Sequence, residues 1–132
     1  MRFAFQALGL SILLTAVPTW AHHSFAAQYD ATKVVTMTGK VTKVEWTNPH
    51  IYFFIDVPDE KTGKVTNWAL EFGGPNSLMR LGWTRNTMKP DDVVTVEGTL
   101  ARDGSNLANA RSIIMKSTGK RLFAGSSEGT TP

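Results

Sequence analysis

The chain has no cysteine, which removes several chemistries at once. Disulfides, thiolate metal sites and cysteine nucleophiles are all excluded, so the fold must be held by an apolar core. Charge of one sign is also scarce. Fourteen Lys and Arg stand against eleven Asp and Glu, a formal net charge of +3, and they are scattered singly rather than gathered into a run. Such spacing suits a solvated surface and gives no footprint for nucleic acid. A phosphate loop is missing, because Gly73-Gly74-Pro75 is not followed by Lys-Ser or Lys-Thr. No nucleophile elbow is present, and His23, Ser24 and Asp30 are too close in sequence for triad geometry. Asp59-Glu60 and Asp91-Asp92 lie in turn signals, not as an opposed pair of acids for glycoside hydrolysis. Beyond the first residues no run approaches the roughly 18 apolar residues of a membrane helix, and no internal repeat is found. The expectation is a binding protein, not an enzyme.

What is present begins with a leader. Met1-Arg2 supplies a short positive start and residues 3–17 are mostly apolar. Pro18-Thr19-Trp20-Ala21 then ends on a small residue. This pattern predicts a secretory signal peptide over residues 1–21, and a mature domain that is periplasmic or secreted with no membrane span. Arg2 is the only charged residue in the leader, so cleavage takes the formal charge from +3 to +2.

From residue 33 onward, short period-two segments alternate with turn signals. Strands are expected at 34–46, 51–57, 65–72, 93–100 and 108–115, with one short helix after Gly73-Gly74-Pro75 that stops at Gly82. In the first strand the apolar phase moves from Val35, Met37 and Val41 to Val44 and Trp46. That shift predicts a bulge near Thr42-Lys43, eased by Gly39. Three strands, a helix and two strands is the order of a small five-stranded OB-like barrel, an all-β fold with one helix between strands 3 and 4. An open β-sandwich is the alternative. The domain is expected to span 22–124, with a disordered Gly-, Ser- and Thr-rich tail at 125–132.

The chain has three histidines, and all of them lie at termini or element boundaries. His22 and His23 follow the expected cleavage point, and His50 closes Trp46-Thr47-Asn48-Pro49-His50 at the mouth of the second strand. His50 shares strand parity with Tyr52 and Phe54, on the face opposite Ile51, Phe53 and Ile55. If His22 is the first residue, its α-amine and its own Nδ1 can chelate one ion, and a further imidazole from His50 or His23 completes a histidine brace. A nitrogen-only tetragonal set suits Cu(II). The amine, the His23 amide and the His23 imidazole offer a second copper chelate. In either, the amine must shed its proton, so affinity rises with pH. Met37, Met79, Met88 and Met115 could add soft ligands for Cu(I), although methionines more often fill cores.

The stretches AHHSFAAQYD, GKVTKVEWTNPHIYFFIDV, NWALEF, LMRLGW and DDVVTVEGTLARDGSNLANARSI together resemble a family of small exported bacterial proteins of unknown function. Its members carry an HHSFA start, a W-x-NPH segment, an R-x-GW helix end and a D-x-V-x-V-x-G strand. The resemblance covers residues 21–122 and implies an exported OB-like domain in which His22, His23 and His50 match the family signature. Where members carry Pro-Gly-Asp before the fourth strand, this chain has Pro90-Asp91-Asp92.

An OB-like barrel also offers a ligand face, for which Trp46, Tyr52, Phe54 and Trp83 are candidate stacking residues. Trp46 and Trp68 are expected mainly to fill the core. The expected cofactor is a copper ion, and the expected partner is a metal donor or acceptor protein or an envelope component. A metal-free module binding a glycan, peptide or envelope protein is the alternative.

Overall fold

The computed structural model describes residues 25–126. The expected leader, His22, His23 and residues 127–132 lie outside them. The order is α1 (Phe25–Gln28), β1 (Tyr29–Glu45), β2 (Tyr52–Pro58), β3 (Val65–Glu71), α2 (Pro75–Arg80), β4 (Val93–Ala101), β5 (Leu107–Met115) and β6 (Arg121–Phe123). The described residues are thus mostly β-sheet, with six strands and two short helices. Strands run in the order β3-β2-β1-β4-β5-β6 with antiparallel neighbours, and β3 also pairs with β5 in parallel.

The long first strand serves two partners in turn. Val34 to Lys40 pair with β4, and Lys40 to Glu45 pair with β2. The register with β2 shifts between Val41 and Lys43, so the bulge lies where the change of apolar phase places it. Thr42 is the extra residue, and its hydroxyl bonds the Phe54 carbonyl at 3.3 Å. Gly39 permits the close approach beside the bend, because a Cβ there would come within 2.5 Å of the Asp56 carbonyl oxygen.

On β2, alternation sorts the side chains. Ile51, Phe53 and Ile55 are fully buried, while Tyr52, Phe54 and Asp56 on the other face are half-covered. Leu70 and Phe72 from β3, Leu78 from α2, Val94 and Val96 from β4 and Ile113 from β5 complete the core. Phe72 and Trp83 meet edge to face with centroids 5.6 Å apart.

Four features differ from the sequence expectation. β1 starts at Tyr29, not at residue 34. Tyr29 pairs with Ala101, and the register then slips before Val34 resumes opposite Thr99; the polar run Asp30 to Lys33 hides this start. α1 is a single turn, too short for a helical period to show. A sixth strand, β6, is added to the expected five. It has three residues and buries only Leu122, so no alternation marks it. Finally, order continues past the expected boundary at 124. Ser126 is buried and its hydroxyl bonds the Ala110 carbonyl at 3.2 Å.

The turn into β4 carries a sequence departure with a conformational consequence. Asp91 has φ 76°, left-handed backbone, following Pro90 in a turn closed by the Asp92 amide on the Lys89 carbonyl at 3.1 Å. A type II turn with proline at its second position favours glycine at its third. Asp91→Gly is therefore expected to raise stability by about 1 kcal/mol, whereas Gly39→Ala should lower it by about 1–3 kcal/mol. Urea denaturation of the two variants checks both signs.

Candidate functional site

The outer face of the sheet carries a polar row at one level. Glu45 on β1 lies opposite Tyr52 on β2, and Tyr52 lies opposite Glu71 on β3. Glu71 lies opposite Asn109 on β5, and Asn109 opposite Thr99 on β4. Directly paired residues point to the same side. One position along, Phe53, Leu70 and Ala108 make the corresponding row in the core.

The row is outward-facing, yet its centre is dry. Glu71, Asn109 and Thr99 are each buried to 95 % or more. The cover is Tyr29, 2 % exposed, with the Phe25 ring of α1 5.3 Å from its own. Arg102 ties this cover down. Its Nε donates to the Ala26 carbonyl at 2.7 Å, and its amide donates to the Gln28 carbonyl at 2.9 Å.

A carboxylate buried this deeply needs donors, and Glu71 has them. Tyr29 Oη donates to Oε2 and His50 Nδ1 contacts Oε1, while Tyr52 stands directly opposite Glu71 on β2. Because a carboxylate only accepts, the His50 proton facing it sits on Nδ1, which leaves Nε2 as the atom free for a ligand. The His50 side chain is 45 % exposed. Its loop, which includes a cis Asn48–Pro49 peptide, is fixed by the start of α2. The Ile51 amide bonds the Gly73 carbonyl at 3.1 Å, and a Cβ on Gly74 would come within 2.8 Å of the Pro49 carbonyl oxygen.

Both phenols titrate high. Burial is the main cause for Tyr29, reinforced by the bond to Glu71 and by its charge. Burial also leads for Tyr52, followed by the charge of Glu71, and pushes it up to about 12. A hollow of about 170 Å³ adjoins the row, lined by Phe25, Ala31, Thr99, Asn109 and Arg111.

The residues expected from sequence are placed as follows. His50 and Tyr52 meet at Glu71. Phe54 is half-buried on the same face of β2, with Lys43 Nζ 5.2 Å from its ring centroid. Trp46 and Trp68 pack against the core from its margin. Trp83 must be removed from the ligand face. It is 2 % exposed and its Nε1 donates to the Phe123 carbonyl at 3.0 Å, so neither face of the indole is open to a ligand. Met88 and Met115 are core residues, Met37 packs at the core margin and Met79 is exposed. His22 and His23 lie outside the described residues. Among the described residues, no three His, Asp or Glu groups stand close enough to hold a metal ion, and no helix is long and apolar enough to cross a membrane.

Sequence reading alone passed over Glu71, Tyr29 and Asn109. The available signal was Glu71 itself, a single acid between Leu70 and Phe72 in an otherwise apolar strand end.

Residues 10–110 match the model of a family of unknown function, DUF6152. The chain belongs to that family. The matched span takes in His22, His23, Tyr29, His50, Glu71 and Asn109 and stops before β6. No curated protein and no solved structure matches the chain.

The chain has only two tyrosines, and both are in the cluster. The sign of their linkage is fixed: a phenol raised above its ordinary value of 10.0 stabilises the fold fully below pH 10, and that stability is lost as pH climbs through its folded value. Near-ultraviolet absorbance should therefore show little phenolate in the folded protein at pH 10–11 and a large increase on adding denaturant at the same pH. Stability should fall as pH rises from 10 towards 12, with a shallower fall in Tyr52→Phe.

Proposed function

We propose that this chain is an exported OB-like barrel that binds copper at the edge of its sheet, through His50 and an amino terminus at His22. The strand pairings support the barrel, since β3-β2-β1-β4-β5 forms a ring that returns to β3 through the parallel contact with β5. The observation that carries the metal reading is the Glu71–His50 pair. A carboxylate that holds Nδ1 and presents Nε2 outward is the arrangement typical of metal-binding histidines, because it fixes the ring and raises its basicity.

Phe25 lies against Tyr29, and Tyr29 and His50 share one carboxylate. His22 is three positions before Phe25, a chain span of at most about 11 Å, which supports a terminus that could approach this edge. His22 would give its amine and Nδ1, His50 its Nε2, and His23 is the alternative imidazole. The role is binding, delivery or sensing in exchange with a metal donor or acceptor protein. A second reading is favoured by the open hollow of about 470 Å³ between Trp68, Thr66 and the loop at Asp59, Glu60 and Lys61. A glycan or peptide of an envelope partner could stack there on a metal-free module.

Intact mass of the exported protein should place its first residue at His22. Copper titration should then show tight binding that weakens by about a hundred-fold or more in His50→Ala. The same loss is expected when one residue is added before His22, because the amine is displaced from its chelate. Processing beyond His23, or parent-like binding by both variants, leaves the metal-free module.

A further inference from the structure

The barrel divides its charge unevenly. Two stretches of chain, 73–90 and 116–126, hold six of the fourteen basic residues and none of the eleven acids. The first contains α2 and the loop after it, with Arg80, Arg85 and Lys89. The second contains β6, with Lys116, Lys120 and Arg121. Among the other described residues acids outnumber bases. The two stretches are neighbours in space. Trp83 Nε1 donates to the Phe123 carbonyl at 3.0 Å and the Gly73 amide to the Ala124 carbonyl at 2.9 Å. Leu81 Cδ1 lies 3.4 Å from where a Cβ on Gly125 would stand. A hollow of about 310 Å³ separates Thr87, Lys89 and Asp92 from Ser117, Thr118 and Lys120.

The acids that border this end are engaged elsewhere. Asp92 accepts from the Lys89 amide at 2.9 Å and holds its ammonium at 3.9 Å, and Glu97 faces Arg111 at 4.0 Å. Among the described residues, no carboxylate comes within 4.0 Å of the Arg80, Arg85, Lys116, Lys120 or Arg121 side-chain nitrogens. Apolar side chains stand between these cations. Of five large hydrophobic residues left exposed, three are here: Met79, Leu81 and Phe123, each between 45 % and 55 % exposed. α2 buries Leu78 and leaves Met79 and Arg80 outside, with Leu81 after them. β6 buries Leu122 and leaves Arg121 and Phe123 outside. Single apolar side chains separated by guanidinium groups lack the contiguous, desolvated centre of a protein interface. They suit an anionic bilayer, where apolar side chains enter the acyl boundary and cations meet head-group phosphates.

We propose that this end of the barrel docks onto an anionic phospholipid surface. Met79, Leu81 and Phe123 enter the interface, and Arg80, Arg85, Lys120 and Arg121 meet the head groups. The β2–β3 loop, at the other end of β3, faces away from the bilayer. The attachment is peripheral and reversible, since each contribution is small and salt screens the charged ones.

The test is co-sedimentation of the exported protein with vesicles of phosphatidylglycerol and phosphatidylcholine in equal parts, beside vesicles of phosphatidylcholine alone. The parent should pellet with the anionic vesicles at low salt and bind the neutral ones at least about ten-fold more weakly. Each cation removed near the surface should cost about five-fold, so Arg80→Gln combined with Lys120→Gln should weaken binding by about twenty-five-fold. Lys61→Gln combined with Lys64→Gln makes the same change of net charge on the β2–β3 loop and should bind like the parent. Met79→Ser combined with Phe123→Ser keeps the charge and should weaken binding by about ten-fold. Arg85→Gln and Leu81→Ser serve where a urea midpoint shows a variant to be unfolded. No binding to the anionic vesicles, equal binding to the neutral ones, or an equal loss in the Lys61 and Lys64 variant overturns the proposal. Parent-like binding by the Met79 and Phe123 variant overturns it too, and leaves a purely electrostatic face suited to an acidic protein.

Discussion

The Glu71 carboxylate must be kept supplied with donors out of reach of water, and much of the architecture answers to that demand. Its partners come from separate parts of the chain, Tyr29 at the start of β1 and His50 on the loop before β2. Tyr52 on β2 and Asn109 on β5 flank it as its strand neighbours. The row therefore forms only when β3 meets β5, when the first strand begins at the right place and when the Asn-Pro loop closes. A buried polar network satisfied by so many elements favours one arrangement over its near alternatives, since any slip leaves the carboxylate short of a donor. The burial that raises both phenols is the same demand seen from the donor side.

The rest of the fold makes this meeting geometrically feasible. β1 cannot pair with β4 and then β2 as a straight strand, so it bends where Gly39 admits the Asp56 carbonyl and Thr42 is extruded. The bend delivers Glu45 opposite Tyr52 while keeping Tyr29 opposite Ala101. Beneath the polar row, Phe53, Phe72 and Trp83 form a contiguous aromatic packing unit that carries the β2–β3 pair. Gly73 and Gly74 join that unit to the His50 loop by direct backbone contact. The imidazole is exposed at its tip, but it stands on a rigid base.

How much of this was legible in the sequence depends on the range of the interaction. The Thr42 bulge was readable because it is local: alternation changes phase within a few residues, and a phase change in a strand has one geometric meaning. Parity likewise separated His50, Tyr52 and Phe54 from the core residues between them. Glu71 was not readable. Strand alternation assigns it to the outer face, where an acid is ordinarily solvated, and what covers it arrives from Tyr29, 42 positions earlier. Trp83 was misplaced for a related reason. It follows a helix in an irregular segment, where periodicity says nothing about burial, and its carbonyl partner lies on a strand too short to detect. The N-terminal histidines were conspicuous by composition, while the acid that gives His50 its orientation was a single letter in an apolar stretch.

That acid also bears on which of the two copper chelates the chain would favour. The chelate of amine, His23 amide and His23 imidazole is self-contained and needs nothing from the barrel. It would form on any peptide with histidine in second place, and His50 would then be held by Glu71 to no purpose. A brace of His22 with His50 has the opposite requirement. Its third nitrogen would have to be presented at a fixed place and angle, because a terminus at His22 would be only three residues from Phe25. Rotating the His50 ring so that Nδ1 faced outward would move the ligating atom and leave Glu71 Oε1 without its donor. The bond from Nδ1 to a buried carboxylate opposes that rotation, and the bond from Tyr29 to the other oxygen opposes rotation of the carboxylate itself. On the copper reading proposed above, an imidazole constrained twice over would favour the brace over the self-contained chelate.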